Sequence, residues 1–142
     1  MEKINGIEVQ RRAWRGDFRV AIEQLKGLTP IAVYQDESKF VITTKEGDFK
    51  FYHAQDCCET VQIEDVVGEI SDLIGNPLLL AEEVSSENEP APSKYTESFT
   101  WTFYKFATIK GYVDIRWLGE SNGYYSESVD LMFIPNPDYK SV

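Results

Sequence analysis

The sequence predicts one α+β domain, built as a mostly antiparallel, twisted sheet of six to seven strands with two helices packed against it. Residues 31–53 and 98–134 hold short β-branched and aromatic runs separated by polar turns, which is typical of antiparallel strands. Two other stretches show the apolar spacing of amphipathic helices. At 142 residues, the chain is long enough to bury a core as one domain.

The first helix is predicted within an N-terminal helical extension, residues 1–30. Its apolar face would comprise Trp14, Phe18, Ala21, Ile22 and Leu25, and Gly27 is a suitable C-cap. A neighbouring basic flank comprises Arg12, Arg15, Arg19 and Lys26. The flank has two interpretations, a solvated border of the core or a basic rim for an anionic ligand or an acidic partner.

The second helix is predicted at residues 63–74, where apolar residues recur at the i, i+3, i+4, i+7 and i+11 positions. These residues are Ile63, Val66, Val67, Ile70 and Ile74. A Gly-Asn-Pro sequence at residues 75–77 ends the helix. Further along, residues 85–96 contain two prolines and no periodicity, so they are predicted to form a surface loop.

Strands are predicted on both sides of the second helix. Before it they comprise residues 31–35, 39–44 and 48–53, whose short polar turns indicate a meander. After it they begin near Ser98, Tyr112 and Tyr124. In the strand that begins at Ser98, the aromatic residues change parity between Phe103 and Tyr104, which indicates a bulge or a strand buried on both faces.

The net charge is −10, and it is concentrated in the middle third of the chain. Residues 53–97 hold one lysine against eleven acidic residues, whereas the segments on either side are nearly balanced. Binding to duplex nucleic acid is therefore not expected, because it requires a basic face. No apolar run approaches the length of a membrane span, so the protein is expected to be soluble and not exported.

One stretch, HAQDCCE at residues 53–59, concentrates residue types that bind metals. His53, Asp56, Cys57 and Cys58 are candidate ligands for zinc or another thiophilic metal, although adjacent cysteines rarely reach one ion. A Cys–His nucleophile oriented by Asp56 or Glu59 is the catalytic alternative. The structural alternative is a pair of reduced, buried cysteines, with Asp56 or Glu59 capping the second helix. A bridge between adjacent cysteines is not expected, because neighbouring Cα atoms are about 3.8 Å apart.

A second set of candidate residues lies in the aromatic last third. Arg15 and Arg19 of the first helix are further cations for this set, which comprises Trp101, Phe103, Tyr104, Arg116, Trp117, Asn122, Tyr124 and Tyr125. Aromatic faces stack on bases, arginine pairs with phosphate, and asparagine can read an adenine edge. The set therefore predicts an aromatic-walled pocket for a nucleotide-type ligand. The alternative is that most of these aromatics build the core of a sheet, because aromatic residues favour strands.

Several motifs together carry a resemblance to a known family. They are HxxDCCE, IEDVVGEISDLIGNPLLLAEEVSSE, TWTFYKFATIKGYVDIRW and SNGYYSESV, which extend from His53 to Val129. The sequence in this range resembles a family of small, mostly uncharacterised proteins encoded by phages and prophages. The resemblance implies a phage accessory protein of one α+β domain that works in the host cytoplasm. It supplies no catalytic residues, and residues 1–30 do not match the pattern.

Three functions are open at this point. The leading hypothesis is a non-enzymatic counter-defence protein that sequesters a nucleotide signal in the aromatic and arginine pocket, without a cofactor. The alternative is an acidic interaction module, in which residues 56–89 dock on a basic surface of a host or defence protein. The third is a metal- or thiol-dependent enzyme at residues 53–59. An edge strand or the first helix could serve a homodimer or a larger oligomer.

Overall fold

The computed structural model describes residues 2–11, 18–86, 91–94 and 96–140. The described residues form eleven strands. In chain order they are β1 Glu2–Ile4, β2 Ile7–Arg11, β3 Phe18–Arg19, β4 Ala32–Gln35, β5 Lys39–Thr43, β6 Gly47–Tyr52, β7 Thr60–Val67, β8 Leu80–Ser86, β9 Ser98–Thr108, β10 Gly111–Ser121 and β11 Asp130–Pro135. The helical segments of this described part are two single turns of 3₁₀ helix, Ile22–Leu25 and Ile70–Leu73.

The strands form two antiparallel sheets packed face to face. The larger sheet has the order β1-β2-β3-β11-β6-β5-β4, and the smaller sheet has the order β7-β10-β9-β8. Strand β11 comes after all the others in the chain, yet it lies between β3 and β6. The architecture is therefore a β-sandwich, and the predicted α+β class with two helices and six to seven strands is wrong.

Aromatic side chains fill the space between the two sheets. The ring centroid of Phe51, from the larger sheet, lies 4.7 Å from that of Tyr104 and 5.8 Å from that of Phe106, both from the smaller sheet. Phe106 is also 5.8 Å from Phe40 of the larger sheet. Trp117 is fully buried in the same core. One aromatic cluster therefore holds both sheets together.

The prediction of a first helix is wrong for the residues that the structure describes. Arg12, Trp14 and Arg15 lie outside the described residues. Phe18–Arg19 form a short strand between β2 and β11, and a single turn follows at Ile22–Leu25. Ile22 and Leu25, at the two ends of that turn, are both buried. A single turn is enough to produce their i, i+3 spacing, so the spacing does not require a full helix.

The predicted N-terminal helical extension is replaced by strands of the larger sheet. β1 and β2 form a hairpin, and its turn residues Asn5 and Gly6 both have positive φ. Asn5 Nδ2 donates hydrogen bonds of 2.8 Å and 3.1 Å to the carbonyl oxygens of Glu46 and Asn136. These bonds tie the hairpin to the turn before β6 and to the chain that follows β11.

The second predicted helix is also wrong, and a β-bulge explains the pattern that predicted it. Residues 60–67 form β7, an edge strand paired with β10. The register places Ile63 opposite Trp117 and Val66 opposite Ile115, with an extra residue on the β7 side. A bulge shifts the alternation by one position, so these two inward side chains lie three positions apart. On a strand, that spacing imitates a helical turn.

The other strand predictions agree better with the structure. The meander is confirmed, because β4, β5 and β6 are neighbouring antiparallel strands. β9 pairs with β10 without interruption, so its change of aromatic parity arises from a strand that is apolar on both faces. The predicted surface loop at residues 85–96 begins later than expected, because β8 continues through Ser86. Residues 91–94 are exposed, and part of this loop lies outside the described residues.

Candidate functional site

The register of β9 and β10 places several candidate residues on the outer side of the smaller sheet, which points away from the larger sheet. Alternate side chains of a strand point to opposite faces. Trp101 and Phe103 therefore project outward, while Tyr104 projects into the core. Arg116 lies directly opposite Phe103 in the register, so it projects outward with it.

The Arg116 side chain is stacked on two aromatic rings. Its guanidinium carbon lies 5.3 Å from the ring centroid of Trp101 and 5.4 Å from that of Phe103. The two rings are nearly parallel, with an interplanar angle of 10° and centroids 6.4 Å apart. Arg116 Nη1 also lies 3.7 Å from Asp65 Oδ2, which makes a loose ion pair. Such stacking holds a guanidinium in place and leaves the N–H donors in its plane available for hydrogen bonds.

A groove of about 460 Å³ runs beside this stack. It is lined by Val67, Val84, Ser86, Phe103, Lys105, Asp114 and Arg116. We call these residues, together with Asp65, Trp101 and Tyr112, the outer face. Val67, Val84 and Tyr112 are 51%, 43% and 75% exposed, so the outer face presents apolar as well as charged side chains to solvent.

The acidic residues that the structure describes between residues 56 and 86 do not form one surface. Glu64 and Asp65 lie on β7, whereas Glu82 and Glu83 lie on β8. β7 and β8 are the two edge strands of the smaller sheet. Glu83 lies opposite Tyr104 and points to the other side of the sheet, whereas Glu82 lies opposite Lys105 and Asp65 lies opposite Arg116. Asp65 and Glu82 therefore place negative charge along both edges of the outer face, with the cations of the groove between them.

Tyr104, predicted as a ligand contact, is separated from the outer face. It is 3% exposed, and its hydroxyl donates a hydrogen bond of 2.9 Å to Glu83 Oε1. Burial is the largest cause of a raised pKa of the Tyr104 hydroxyl, and the adjacent Glu83 carboxylate raises this pKa further. Arg19 also lies elsewhere, in a cleft of about 370 Å³ that Tyr104 borders. There Arg19 pairs with Asp130 at 3.1 Å, so its charge is already balanced.

Asn122 and Tyr124 lie in the loop after β10 and do not line the groove. Asn122 Oδ1 accepts a hydrogen bond of 3.0 Å from the backbone N–H of Tyr124, which stabilises the turn. Tyr124 is 84% exposed and contacts the ring of Tyr125 edge-on, with centroids 5.0 Å apart. The structure therefore brings together Trp101, Phe103 and Arg116 from the predicted set and leaves the other described members apart.

Glu59 and His53 join two loops at one end of the sandwich. His53 Nε2 donates to Glu59 Oε2 at 2.8 Å, and Nδ1 donates to the carbonyl oxygen of Ser128 at 2.7 Å. Glu59 also accepts the backbone N–H groups of Asp56 and Cys57 at 2.9 Å and 2.8 Å. Burial alone would raise the pKa of Glu59, but these hydrogen bonds, led by that of His53, lower it to about 2.

The cysteines differ from their prediction. The sequence predicts buried, reduced thiols, whereas Cys57 and Cys58 are both exposed, with their Cα atoms 3.8 Å apart. Glu59 caps the backbone of its own loop rather than a helix. Both nitrogens of His53 have other partners, so His53 is not placed to activate a thiol.

The candidate metal ligands of residues 53–59 do not converge on one point. Among the described residues, no group of three or more His, Cys, Asp or Glu side chains could hold a metal ion. His53 bonds Glu59 and Ser128, and the side chain of Asp56 is exposed. The arrangement therefore stabilises a loop.

Comparison with known proteins places the chain in a family. No curated protein and no solved structure is significantly similar to the chain. The described part of the chain contains no helix long and apolar enough to cross a membrane. A family model matches residues 7–131, a range that includes the outer face, the His53 loop and most of residues 1–30. The chain therefore belongs to the DUF7448 family, a domain of unknown function.

Proposed function

We propose that the protein is a non-enzymatic phage accessory protein with a counter-defence role, and that it binds a host or defence protein through the outer face. The observation that carries this proposal is the stack of Arg116 on Trp101 and Phe103 within an exposed sheet surface. Tryptophan, tyrosine and arginine contribute most of the binding energy in protein interfaces. The phage origin rests on the motifs between residues 53 and 129.

The charges of the outer face favour a protein over a nucleotide. Lys105 lies opposite Asp114, and Arg116 lies opposite Asp65, in the strand register. A phosphate group would be repelled by the carboxylates of Asp65 and Asp114 unless it displaced them from the two cations. The exposed apolar side chains, in contrast, gain free energy against any complementary apolar surface, about 25 cal/mol for each Å² that is buried.

The acidic edges specify the partner further. Because negative residues border the outer face on β7 and β8, a complementary surface has an apolar or aromatic centre flanked by lysine and arginine. Charges at the rim of an interface act mainly on the association rate and are screened by salt. Binding should therefore weaken as the ionic strength rises. The stack of Arg116 on Trp101 and Phe103 should mainly determine the dissociation rate.

Site-specific photocrosslinking in host extract tests this proposal. A photoreactive amino acid at Val84, on the outer face, should form a discrete adduct that untagged wild-type protein suppresses by competition. The same amino acid at Tyr34, which is 52% exposed on the larger sheet, should form none. Arg116→Ala and Trp101→Ala should each reduce the Val84 adduct tenfold or more, because truncating a hot-spot residue costs about 2 kcal/mol.

Equal labelling from Val84 and Tyr34 would contradict the proposal, and so would an adduct that Arg116→Ala leaves unchanged. The double reversal Asp65→Lys/Glu82→Lys provides a charge control. It should abolish the salt dependence of adduct formation, because it removes acid from both edges of the outer face. An adduct of the protein with itself would instead identify the outer face as a homodimer interface.

A nucleotide-type ligand is the second candidate, and the flat stack of Trp101, Phe103 and Arg116 favours it. Bases stack on aromatic rings and on guanidinium planes, with about 1–3 kcal/mol for each base. Lys105 in the adjoining groove is the available cation for a phosphate. Calorimetry against cyclic and ADP-ribose-type nucleotides tests this candidate. Binding should disappear in Trp101→Ala, and no heat across the whole panel would exclude it.

A further inference from the structure

Strand β8 is the long, regular edge among the strands that the structure describes. Of the other edge strands, β1 has three residues and β4 has four, so each offers little backbone to a partner strand. β7 is longer, but the bulge interrupts its pairing with β10. β8 has seven residues and pairs with β9 without a shift of register. Apart from its charged residues, it therefore lacks the features that usually protect an edge.

A neighbouring segment covers the approach to β8 but ends before the strand begins. Gly27 donates a backbone hydrogen bond of 2.8 Å to Leu78, and Leu78 donates one of 2.9 Å to Leu28. Within the described part of the chain, no backbone hydrogen bond of this kind continues along residues 80–85. In an antiparallel sheet, every second residue of an edge strand directs its N–H and C=O groups away from the neighbouring strand. These groups of β8 can therefore pair with a further strand.

A cavity lies on each side of β8. On the inner side, Glu83 borders the cleft of about 370 Å³ that Arg19 and Tyr104 also line. On the outer side, Val84 borders the groove of about 460 Å³. Successive side chains of an added strand point alternately to these two sides. In strand addition, main-chain hydrogen bonds supply affinity, and pockets for alternate side chains supply specificity.

The cleft favours a cationic side chain. Its described lining includes the carboxylates of Glu23, Glu83 and Asp130, together with Arg19. Arg19 pairs with Asp130, so the carboxylates of Glu23 and Glu83 remain for an incoming cation. Apolar residues of the lining include Val20, Ile22, Val129 and Leu131. A lysine or arginine side chain suits this environment, because its apolar stem packs on such walls while its charge meets the carboxylates.

We propose that an extended, basic segment of a partner protein adds to β8 as a further strand, with lysine or arginine side chains in the cleft and apolar side chains beside Val84. This inference rests on the proposed function, because the added strand lies beside the outer face and belongs to the same interface. A second copy of this chain fits the edge less well. Full antiparallel overlap of two β8 strands places Glu83 opposite Glu83 of the second copy, and like charges directly opposite destabilise a sheet.

Amide hydrogen exchange in the full chain, resolved by NMR, tests the proposal with a defined probe. The probe is a capped peptide of alternating valine and lysine with seven residues, the length of β8. At roughly 1 mM, it should slow exchange of the outward amides of residues 80–85 about tenfold, which corresponds to a dissociation constant of about 0.1 mM. Exchange in β7, the bulged edge, should not change.

Two matched peptides separate the backbone contribution from the charge contribution. The same peptide with every backbone nitrogen methylated keeps its side chains but donates no backbone hydrogen bond, so the slowing should fall to about twofold or less. A peptide with glutamate in place of lysine should cause no slowing, because the carboxylates of the cleft repel it.

Two matched variants test the cleft. Glu23→Gln/Glu83→Gln should reduce the slowing by the lysine peptide from about tenfold to about twofold, as expected for the loss of two exposed ion pairs. In Glu83→Gln, the side chain keeps an acceptor for the Tyr104 hydroxyl. Glu69→Gln/Asp138→Asn removes two exposed carboxylates that line neither cavity, so it should leave the slowing unchanged.

Three results would overturn the proposal. Unchanged exchange in β8 with the lysine peptide would show that this edge does not accept a strand. Equal slowing by the lysine and glutamate peptides would show that the cleft does not select a cation. Slowing that rises with protein concentration in the absence of peptide would identify a second copy as the occupant. The proposed function fails by a different result, a Val84 adduct that Arg116→Ala leaves unchanged.

Discussion

Glu59 is the buried charge on which the loop at residues 53–59 depends. It accepts one hydrogen bond from His53 and two from the backbone N–H groups of its own loop. These bonds favour the ionised carboxylate and so couple the stability of the loop to pH.

The free energy of unfolding should depend on Glu59 between pH 4.5 and pH 2. The pKa of this carboxyl is about 2 in the folded protein, and its ordinary value is 4.5. Its stabilising contribution is therefore complete above pH 4.5 and is lost as the pH falls towards 2. Urea unfolding of the wild type and of Glu59→Gln across this range should show a stability difference that shrinks with acid. A difference that stays constant would contradict the assignment.

Phe106 should be among the most sensitive residues of the core. It is fully buried and contacts both Phe40 and Phe51 across the space between the sheets. Phe106→Ala should lower the free energy of unfolding by about 3–5 kcal/mol. Ile109→Ala is the control, because Ile109 is 77% exposed and should change stability by less than about 0.5 kcal/mol. Equal effects of the two variants would place Phe106 outside the core.

The site could be predicted from the sequence only in part, and the residues show why. Arg116, Trp101 and Phe103 belong to the predicted set and share the outer face, whereas Lys105 was not in that set. Their position follows from the two-residue turn between β9 and β10, which fixes the register so that Phe103 faces Arg116. The alternation of side chains places Tyr104 on the side opposite to Phe103, but it does not show which of the two sides is buried.

At the scale of elements, the bulge in β7 decides between helix and strand. The sequence around Ile63 and Val66 carries an apolar spacing that fits a helix and, with one extra residue, fits a strand equally well. Its β-branched residues favour the strand, and pairing with β10 settles the choice. The position of a bulge cannot be predicted from the periodicity of one strand, because a bulge depends on how two strands pair.

Deleting the extra residue should be tolerated. Without Glu64, the side chains of Ile63, Asp65 and Val66 alternate regularly against β10, so the core contacts persist. Deleting Gln62 instead turns Val61 towards solvent, which should lower the free energy of unfolding by about 1.5–3 kcal/mol. Urea unfolding of both deletions measures the difference. If the Glu64 deletion proves the more damaging, the bulge is required for the fold.

Gly119 of β10 should not accept a larger side chain. A Cβ atom at this position would lie 2.4 Å from the carbonyl oxygen of Glu127, so the loop that follows β10 would have to move. Gly119→Ala should therefore cost about 1–3 kcal/mol of stability. Ser121→Ala is the control, because it removes the hydrogen bond to Glu127 without adding volume. Thermal unfolding compares the two variants, and a larger loss in Ser121→Ala would contradict the steric explanation.

For the whole molecule, the position of β11 matters more than its length. It pairs with β6 through residues 130–135 and with β3 through two residues, and so it connects the N-terminal strands to the meander. The sequence indicates a strand near this position but cannot show where in a sheet it inserts. That is why the meander of β4, β5 and β6 was predicted correctly while the larger sheet was not.

Truncation should show this dependence on β11. A chain that ends at Ser128 lacks the strand between β3 and β6, so it should lose cooperative unfolding altogether. A chain that ends at Tyr139 keeps every strand and should unfold like the full chain. Circular dichroism during thermal unfolding distinguishes the two. A cooperative transition in the shorter chain would mean that the larger sheet closes without β11.

The position of β11 in the larger sheet also sets the order in which the two sheets can form during synthesis. The smaller sheet consists of β7 to β10, which are consecutive in the chain and can pair as soon as they leave the ribosome. The larger sheet cannot form completely until β11 has been synthesised, because β11 is the strand that pairs with both β3 and β6. During that interval the nascent chain presents unpaired edges at β3 and β6, and these edges are where a chaperone would act.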